Sequence, residues 1–202
     1  RHGGRECELA NAMSLGSAVF FETLADSRRT REHPSMTYEV ELKFAIASAE
    51  IATLRKALLE LRAAPDSAIE QCDRYFNHPS RDFAQSNEAL RVRSIGDRCM
   101  VTYKGPVLDR TVKTRREIEL PIGDTADEGD QFAEMLTLLG FRPVRSVRKT
   151  REPYHLSWDG VPMEVVIDSV PELGVFLEIE TIADDANRYS RQSSILSLAQ
   201  RL

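Results

Sequence analysis

The chain is poor in the residues that build covalent staples and soft-metal sites. It has three cysteines (Cys7, Cys72, Cys99) and four histidines (His2, His33, His78, His155) among 202 residues. An odd number of thiols without a Cys-x-x-Cys spacing gives neither a disulfide framework nor a zinc site, and idle thiols in a reducing cytoplasm are the expectation. The histidines are scattered and form no triad or ligand pattern. Any metal would therefore be held by oxygen, which favours Mg²⁺ or Mn²⁺ over zinc. No apolar run approaches the ~18 residues that cross a bilayer. Ala18-Val19-Phe20-Phe21 is too short for the apolar core of a signal peptide, so no membrane partner and a cytoplasmic location are expected. Positive charge is not in excess either: the formal net charge of -5 argues against nucleic acid as the main partner. Internal repeats and low-complexity tracts are missing.

What remains is an ordinary globular composition, 42% apolar and 29% charged, of a length that suggests one domain with a sizeable core. Residues 1–35 lack sustained periodicity and are expected to be a flexible extension, with Met36 just ahead of the fold. The domain is expected over 36–202.

Tyr38-Glu39-Val40-Glu41-Leu42-Lys43-Phe44 alternates at period two, with Glu39, Glu41 and Lys43 on one face. A helix capped by Ser48 should run to about Ala64, where Pro65 stops it. Strands are expected at Asp73–Phe76, Asn87–Arg93, Met100–Lys104, Thr111–Leu120, Val147–Leu156, Val161–Ser169 and Val175–Thr181, with an Asp159-Gly160 hairpin turn. A second helix should cover Glu128–Leu139, and a third should run from Asp184 or Asp185 to Leu202. About eight strands and three helices without βαβ alternation predict an α+β fold, an antiparallel sheet that curls or closes.

The charges lie in phase on these strands. Glu39, Glu41, Glu117, Glu119, Asp168, Glu178 and Glu180 are the acids; Lys43, Arg91, Arg93, Lys104, Lys113, Arg115, Lys149 and Arg151 are the bases. This face either meets solvent or lines a closed barrel. Cross-strand ion pairs on a wet sheet would each contribute well under ~1 kcal/mol. Grouping by sign favours the second reading, because alternate carboxylates ~7 Å apart repel unless a cation sits between them. Clustered arginine and lysine supply donors for a polyanion. Carboxylates, a divalent ion and many bases together are the chemistry of phosphoryl groups. Tyr103 and Phe176 are expected out of this phase, in the core.

Glu39-Val-Glu41-Leu-Lys43 resembles the Glu-x-Glu-x-Lys signature of the CYTH superfamily, the triphosphate tunnel metalloenzymes. The similarity continues through Ala89-Leu90-Arg91-Val92-Arg93, Thr102-Tyr103-Lys104-Gly105-Pro106, Lys113-Thr-Arg115-Arg-Glu117-Ile-Glu119, Lys149-Thr-Arg151 and Leu173-Gly174-Val-Phe176-Leu-Glu178-Ile-Glu180. It covers about Met36 to Leu202. The resemblance implies an eight-stranded antiparallel β-barrel, a tunnel with a charged interior and flanking helices, that binds a triphosphate with Mg²⁺ or Mn²⁺. By motif, Glu39, Glu41, Glu178 and Glu180 would be metal ligands assisted by Asp168. Lys43, Arg91, Arg93, Lys104, Lys149 and Arg151 would grip phosphates, and Lys113, Arg115, Glu117 and Glu119 would line the opposite wall. Asp73-Arg74-Tyr75-Phe76-Asn77-His78-Pro79 looks most like the class IV adenylyl cyclase branch, which would convert ATP to 3′,5′-cyclic AMP and pyrophosphate. The alternatives are a triphosphatase acting on tripolyphosphate, thiamine triphosphate or nucleoside triphosphates, or a non-catalytic polyphosphate-binding protein. The resemblance also leans towards a homodimer.

Overall fold

The computed structural model describes residues 37–202. The expected extension at 1–35, with Cys7, His2 and His33, and the start at Met36 lie outside the described residues. Nine strands form from the alternating stretches: β1 (Tyr38–Ile46), β2 (Ala64–Pro65), β3 (Ile69–Asn77), β4 (Ala89–Ile95), β5 (Arg98–Lys104), β6 (Lys113–Gly123), β7 (Arg142–Trp158), β8 (Val161–Val170) and β9 (Gly174–Ala183). The helices are α1 (Ile51–Glu60), α2 (Phe83–Ser86), α3 (Ala126–Leu138) and α4 (Arg188–Arg201). Every ladder is antiparallel, and β1-β6-β5-β4-β3-β7-β8-β9 returns to β1, so eight strands close into a barrel. The short β2 is an additional piece beside β7.

Closure depends on the length of β7. Its 17 residues pair first with β3, from Asn77↔Arg142 to Ile69↔Arg151. They pair then with β8, from Thr150↔Ser169 to Trp158↔Val161. The sequence pattern starts this strand at Val147, because Arg142-Pro143-Val144-Arg145-Ser146 has no apolar alternation. Pairing with β3 recruits those residues. Asp159 and Gly160 turn the chain into β8 with φ of 52° and 74°, the double positive-φ turn that an Asp-Gly pair favours.

The helices also start and stop differently from the pattern. The Glu50 carboxylate, not Ser48, organises the first helix start by accepting from the Ala47 N–H at 3.1 Å. The chain leaves α1 at Arg62, in the left-handed region at φ 60°, ahead of Pro65, which lies in β2. In α3, Thr125 and Glu128 form a reciprocal cap, each side chain accepting from the other's backbone N–H, so this helix begins two residues earlier than expected. Gly129 lets α3 lie directly on the sheet, since a Cβ there would come 2.4 Å from the Cys99 sulfur.

Two apolar layers cover the outer face of the closed sheet. Outward-facing Val40, Val165, Ile167, Leu177 and Ile179 meet Leu54 and Leu58 of α1 and Ile195 and Leu198 of α4 in one apolar layer. Phe76, Leu90 and Val92 meet Ala133 and Leu136 of α3 in a second. Inward-facing Glu39 and Glu41 are only 6% and 4% exposed, which excludes a solvated charged face. Leu58 and Ile195 are fully buried between barrel and helices. Truncating either to alanine leaves a cavity and should cost about 2–5 kcal/mol in a urea unfolding titration. A loss below about 1 kcal/mol in both variants would show that the helices are not clamped to the barrel as described.

Candidate active site

The barrel encloses a cavity of about 960 Å³. Alternation sends every second side chain of the long strands into this bore, so charges remote in sequence become neighbours. At the β1–β9 seam, Glu41 pairs with Glu180 and Lys43 with Glu178 in register. Across β7 and β8, Arg151 lies opposite Asp168. On β3 and β4, Asp73 lies opposite Arg93.

Asp168 is the hub of one half. It is 0% exposed and accepts from Lys149 Nζ at 2.8 Å, from Arg151 Nε and Nη2 at 2.9 and 3.0 Å, and from Lys43 Nζ at 3.3 Å. Burial alone would raise its pKa, but Arg151 and Lys149 outweigh that and hold the carboxyl at about 2. Lys149 is depressed to about 8 by burial and by the nearby Arg151 and Arg93, against the pull of Asp168. Glu178 accepts from Lys43 at 2.7 Å and Arg151 at 3.2 Å. Despite burial, these two cations hold Glu178 well below the usual carboxylate range. Its neighbour Glu180 is pushed well above that range by burial and by the Glu178 charge.

The second half is built on β1, β5 and β6. Glu39 accepts from Lys104 and, at 3.4 Å, from Arg115 Nε, while Arg115 Nη2 reaches Glu41 at 3.2 Å. Lys104 also lies 3.0 Å from Glu117, whose carboxyl rises to about 7 because it is buried and adjoins Glu39. Arg91 stands 3.8 Å from Glu119, which also accepts from Thr102 at 2.6 Å. Lys113 sits at the rim, half-exposed and 3.8 Å from Glu41.

The structure thus brings most of the sequence-predicted residues to the wall of one cavity, with Asp168 fully buried behind that wall and Lys113 at its half-exposed edge, and it sorts them. Carboxylate oxygens of Glu39, Glu41 and Glu178 lie within 4.8 Å of one another, a buried oxygen set suited in charge and chemistry to a small hard divalent cation. Asp168 stands outside that set, inside a cage of three cations. Several inward groups escaped the sequence reading. Asp73 grips Arg93 through both carboxylate oxygens, at 2.7 and 2.9 Å, and Gln71 lies two residues earlier on the same face. Their phase with Tyr75 was the available signal. Phe176, expected in the core, shares the face of Glu178 and lies 5.7 Å from Lys43 Nζ; its spacing of two from Glu178 already required this. Tyr103 does face outwards, towards Phe83 at 6.3 Å and with its hydroxyl on Glu88.

A closed antiparallel barrel with buried acids and bases in its bore defines a tunnel-type site for a polyanion. The CYTH domain matches residues 37–202, and the chain belongs to that family. It is 42% identical over 117 residues to a Methanocaldococcus jannaschii protein provisionally named an adenylate cyclase. That match covers 58% of this chain and spans 62% of the relative's length. The adenylate cyclase CyaB of Aeromonas hydrophila is 26% identical over 156 residues, 76% of this chain and 74% of that one. The PH1819 protein of Pyrococcus horikoshii superposes with a TM-score of 0.66 at 34% identity, over 80% of this chain and 86% of that one. Among the described residues, no helix is long and apolar enough to cross a membrane.

Asp168→Asn would leave Lys149, Arg151 and Lys43 facing one another around a neutral amide. Removing one partner of such a buried network should cost about 3–5 kcal/mol, read by urea unfolding. A variant within about 1 kcal/mol of the parent would show that Asp168 is not what holds the cage together.

Proposed function

We propose that this chain is a metal-dependent enzyme acting on a triphosphate, and specifically an adenylyl cyclase that converts ATP to 3′,5′-cyclic AMP and pyrophosphate. The observation that carries this reading is the juxtaposition of two groups in one enclosed bore. One is the three-carboxylate cluster of Glu39, Glu41 and Glu178. The other is the cation cage of Lys43, Lys149 and Arg151. Relatives named adenylate cyclase support the cyclase assignment.

In this reading Glu39, Glu41 and Glu178 hold Mg²⁺ or Mn²⁺, with Glu180 beside them. The bound cation would neutralise charge on the phosphoryl oxygens and make the phosphorus more electrophilic. Arg151, with its planar fork, and Lys149 and Lys43, as point charges, bind phosphate oxygens on one wall. Lys104, Arg91 and Arg93 do so on the other. Asp168 and Asp73 accept nothing from the ligand; they orient the grips. Held from two walls, the chain of phosphates is fixed while the ribose 3′-hydroxyl attacks the α-phosphorus in line, and orientation is the main contribution of the protein. Half-buried Glu117 and the more exposed Glu119 place two further acceptors on the opposite wall, Arg115 bridges Glu39 and Glu41, and Lys113 stands at the rim.

The same grips would serve a triphosphatase if water replaced the ribose hydroxyl as attacking group, so product analysis decides between the two. With Mg²⁺ or Mn²⁺ and ATP, tripolyphosphate or thiamine triphosphate in parallel, cyclic AMP and pyrophosphate are expected from ATP. Orthophosphate alone would replace the cyclase by the hydrolase, and no turnover of any substrate would leave a binding protein. EDTA should abolish turnover. Glu178→Gln should lower it at least about 100-fold, since even outer-shell partners of metal ligands cost 10–100-fold. Full activity in that variant would remove Glu178 from the metal set.

A further inference from the structure

One stretch of the bore does not fit a purely anionic ligand. Gln71 is 5% exposed and lines the same cavity as Arg93, Lys149 and Arg151. Its amide oxygen is buried and has no hydrogen-bond partner among the described residues. Buried acceptors are nearly always paired, so a lone one in a binding cavity requires an explanation. Its position is set by two ladders. Gln71 lies opposite Lys149 across the β3–β7 pair, and Ile69, two residues earlier on its face, lies opposite Arg151. On the other side the Cys72↔Ser94 pair puts Ile95 alongside Gln71. Ile69 and Ile95 both line the cavity. An uncharged patch, two isoleucines and an amide, therefore adjoins the phosphate grips.

Phosphate oxygens are acceptors and carry negative charge, so they cannot satisfy an amide oxygen. That oxygen needs an N–H or O–H donor, and the flanking isoleucines offer apolar contact to a flat or carbon-rich group. We propose that Ile69, Gln71 and Ile95 form the subsite for the nucleoside end of the ligand. Gln71 accepts a hydrogen bond from a base amino group or a sugar hydroxyl, so the chain selects a nucleoside triphosphate over inorganic tripolyphosphate. This rests on the triphosphate reading of the bore and names the part of the substrate that reading leaves open.

The test compares ATP with tripolyphosphate by calorimetric titration, with Ca²⁺ present as an oxygen-seeking divalent ion. The full chain is expected to bind ATP more tightly, although tripolyphosphate carries more charge. Gln71→Met keeps the volume and removes the acceptor. It should weaken ATP binding about 5–10-fold and leave tripolyphosphate binding unchanged, as loss of one hydrogen bond predicts. Its melting temperature should not fall, because an unpaired buried acceptor is lost. Should that variant fail to fold, the unmodified chain still decides: equal or weaker affinity for ATP overturns the inference. An amide with only a structural role, or one satisfied by water, would leave the affinity ratio unchanged in Gln71→Met and equally overturn it. If the unmodified chain binds neither ligand, the triphosphate reading itself falls. If it binds both and the variant loses both alike, only the nucleoside subsite falls.

Discussion

A charge taken out of water must be met by an opposite charge or by several hydrogen bonds, and the bore of this barrel is organised by that requirement. Closure of eight strands gathers the inward face around one bore, and every one of the eight strands places at least one carboxylate or base on that face. Asp168 shows the solution in its most developed form. It has no exposure at all and meets three cations from two strands, Lys43 of β1 and Lys149 and Arg151 of β7. Asp73 does the same for Arg93 and Arg91 from β3. The apolar layers outside the barrel supply the driving force for folding. The ion pairs within it contribute shape, since paired buried charges roughly break even in stability while fixing where each side chain points.

That arrangement is also a device for exchange. Glu39, Glu41 and Glu178 are paired with bases of β1, β5, β6 and β7. A polyanion competes with Glu39 for Lys104 and with Glu178 for Arg151, and each base it takes leaves a carboxylate uncompensated. In the proposed activity a divalent cation would supply that compensation at the three-acid cluster. In the proposed activity, anion and cation are therefore thermodynamically coupled: each makes room for the other's partner, and by linkage the effect is reciprocal. Asp168 and Asp73 are the fixed points. Their cations stay oriented because these two acids lie outside the metal cluster.

The in-phase charges on β1, β4, β6, β8 and β9 were legible in the sequence, because alternation at period two is a local property. The step from a charged face to a charged bore came from grouping by sign, and the burial of Glu39 and Glu41 follows from closure. Less was legible where non-local pairing sets local structure. Arg142–Ser146 reads as loop and is a strand only because β3 lies beside it. The pattern at Phe83–Ser86 is too short to register as a helix, and it forms because the Asp82 side chain accepts from Ala84 N–H. The division of labour among the acids was illegible, since Asp168 and Glu178 have the same chemistry. The register of β7 against β8 sets Lys149 and Arg151 on Asp168, and the register of β1 against β9 sets Lys43 beside Glu178 and Glu41 beside Glu180.

If the bore binds triphosphates as proposed, through so many interchangeable charges, it has little means of telling one from another by their phosphates. Every triphosphate offers the same oxygens at the same spacing, and long-range attraction is indifferent to what is attached to them. Discrimination therefore has to come from the uncharged part of the wall, one patch of which, Ile69, Gln71 and Ile95, lies on β3 and β4 beside Lys149 and Arg151, and another, Leu156, Pro162 and Met163, around the β7–β8 turn. Which oxygen attacks phosphorus follows from the same point. Anchoring the nucleoside end beside Gln71 would fix the direction of the phosphate chain in the bore, and with it whether the 3′-hydroxyl or a water molecule stands in line with the bond that breaks. In such a site substrate choice and reaction outcome are a single geometric property, carried by the few residues that bear no charge.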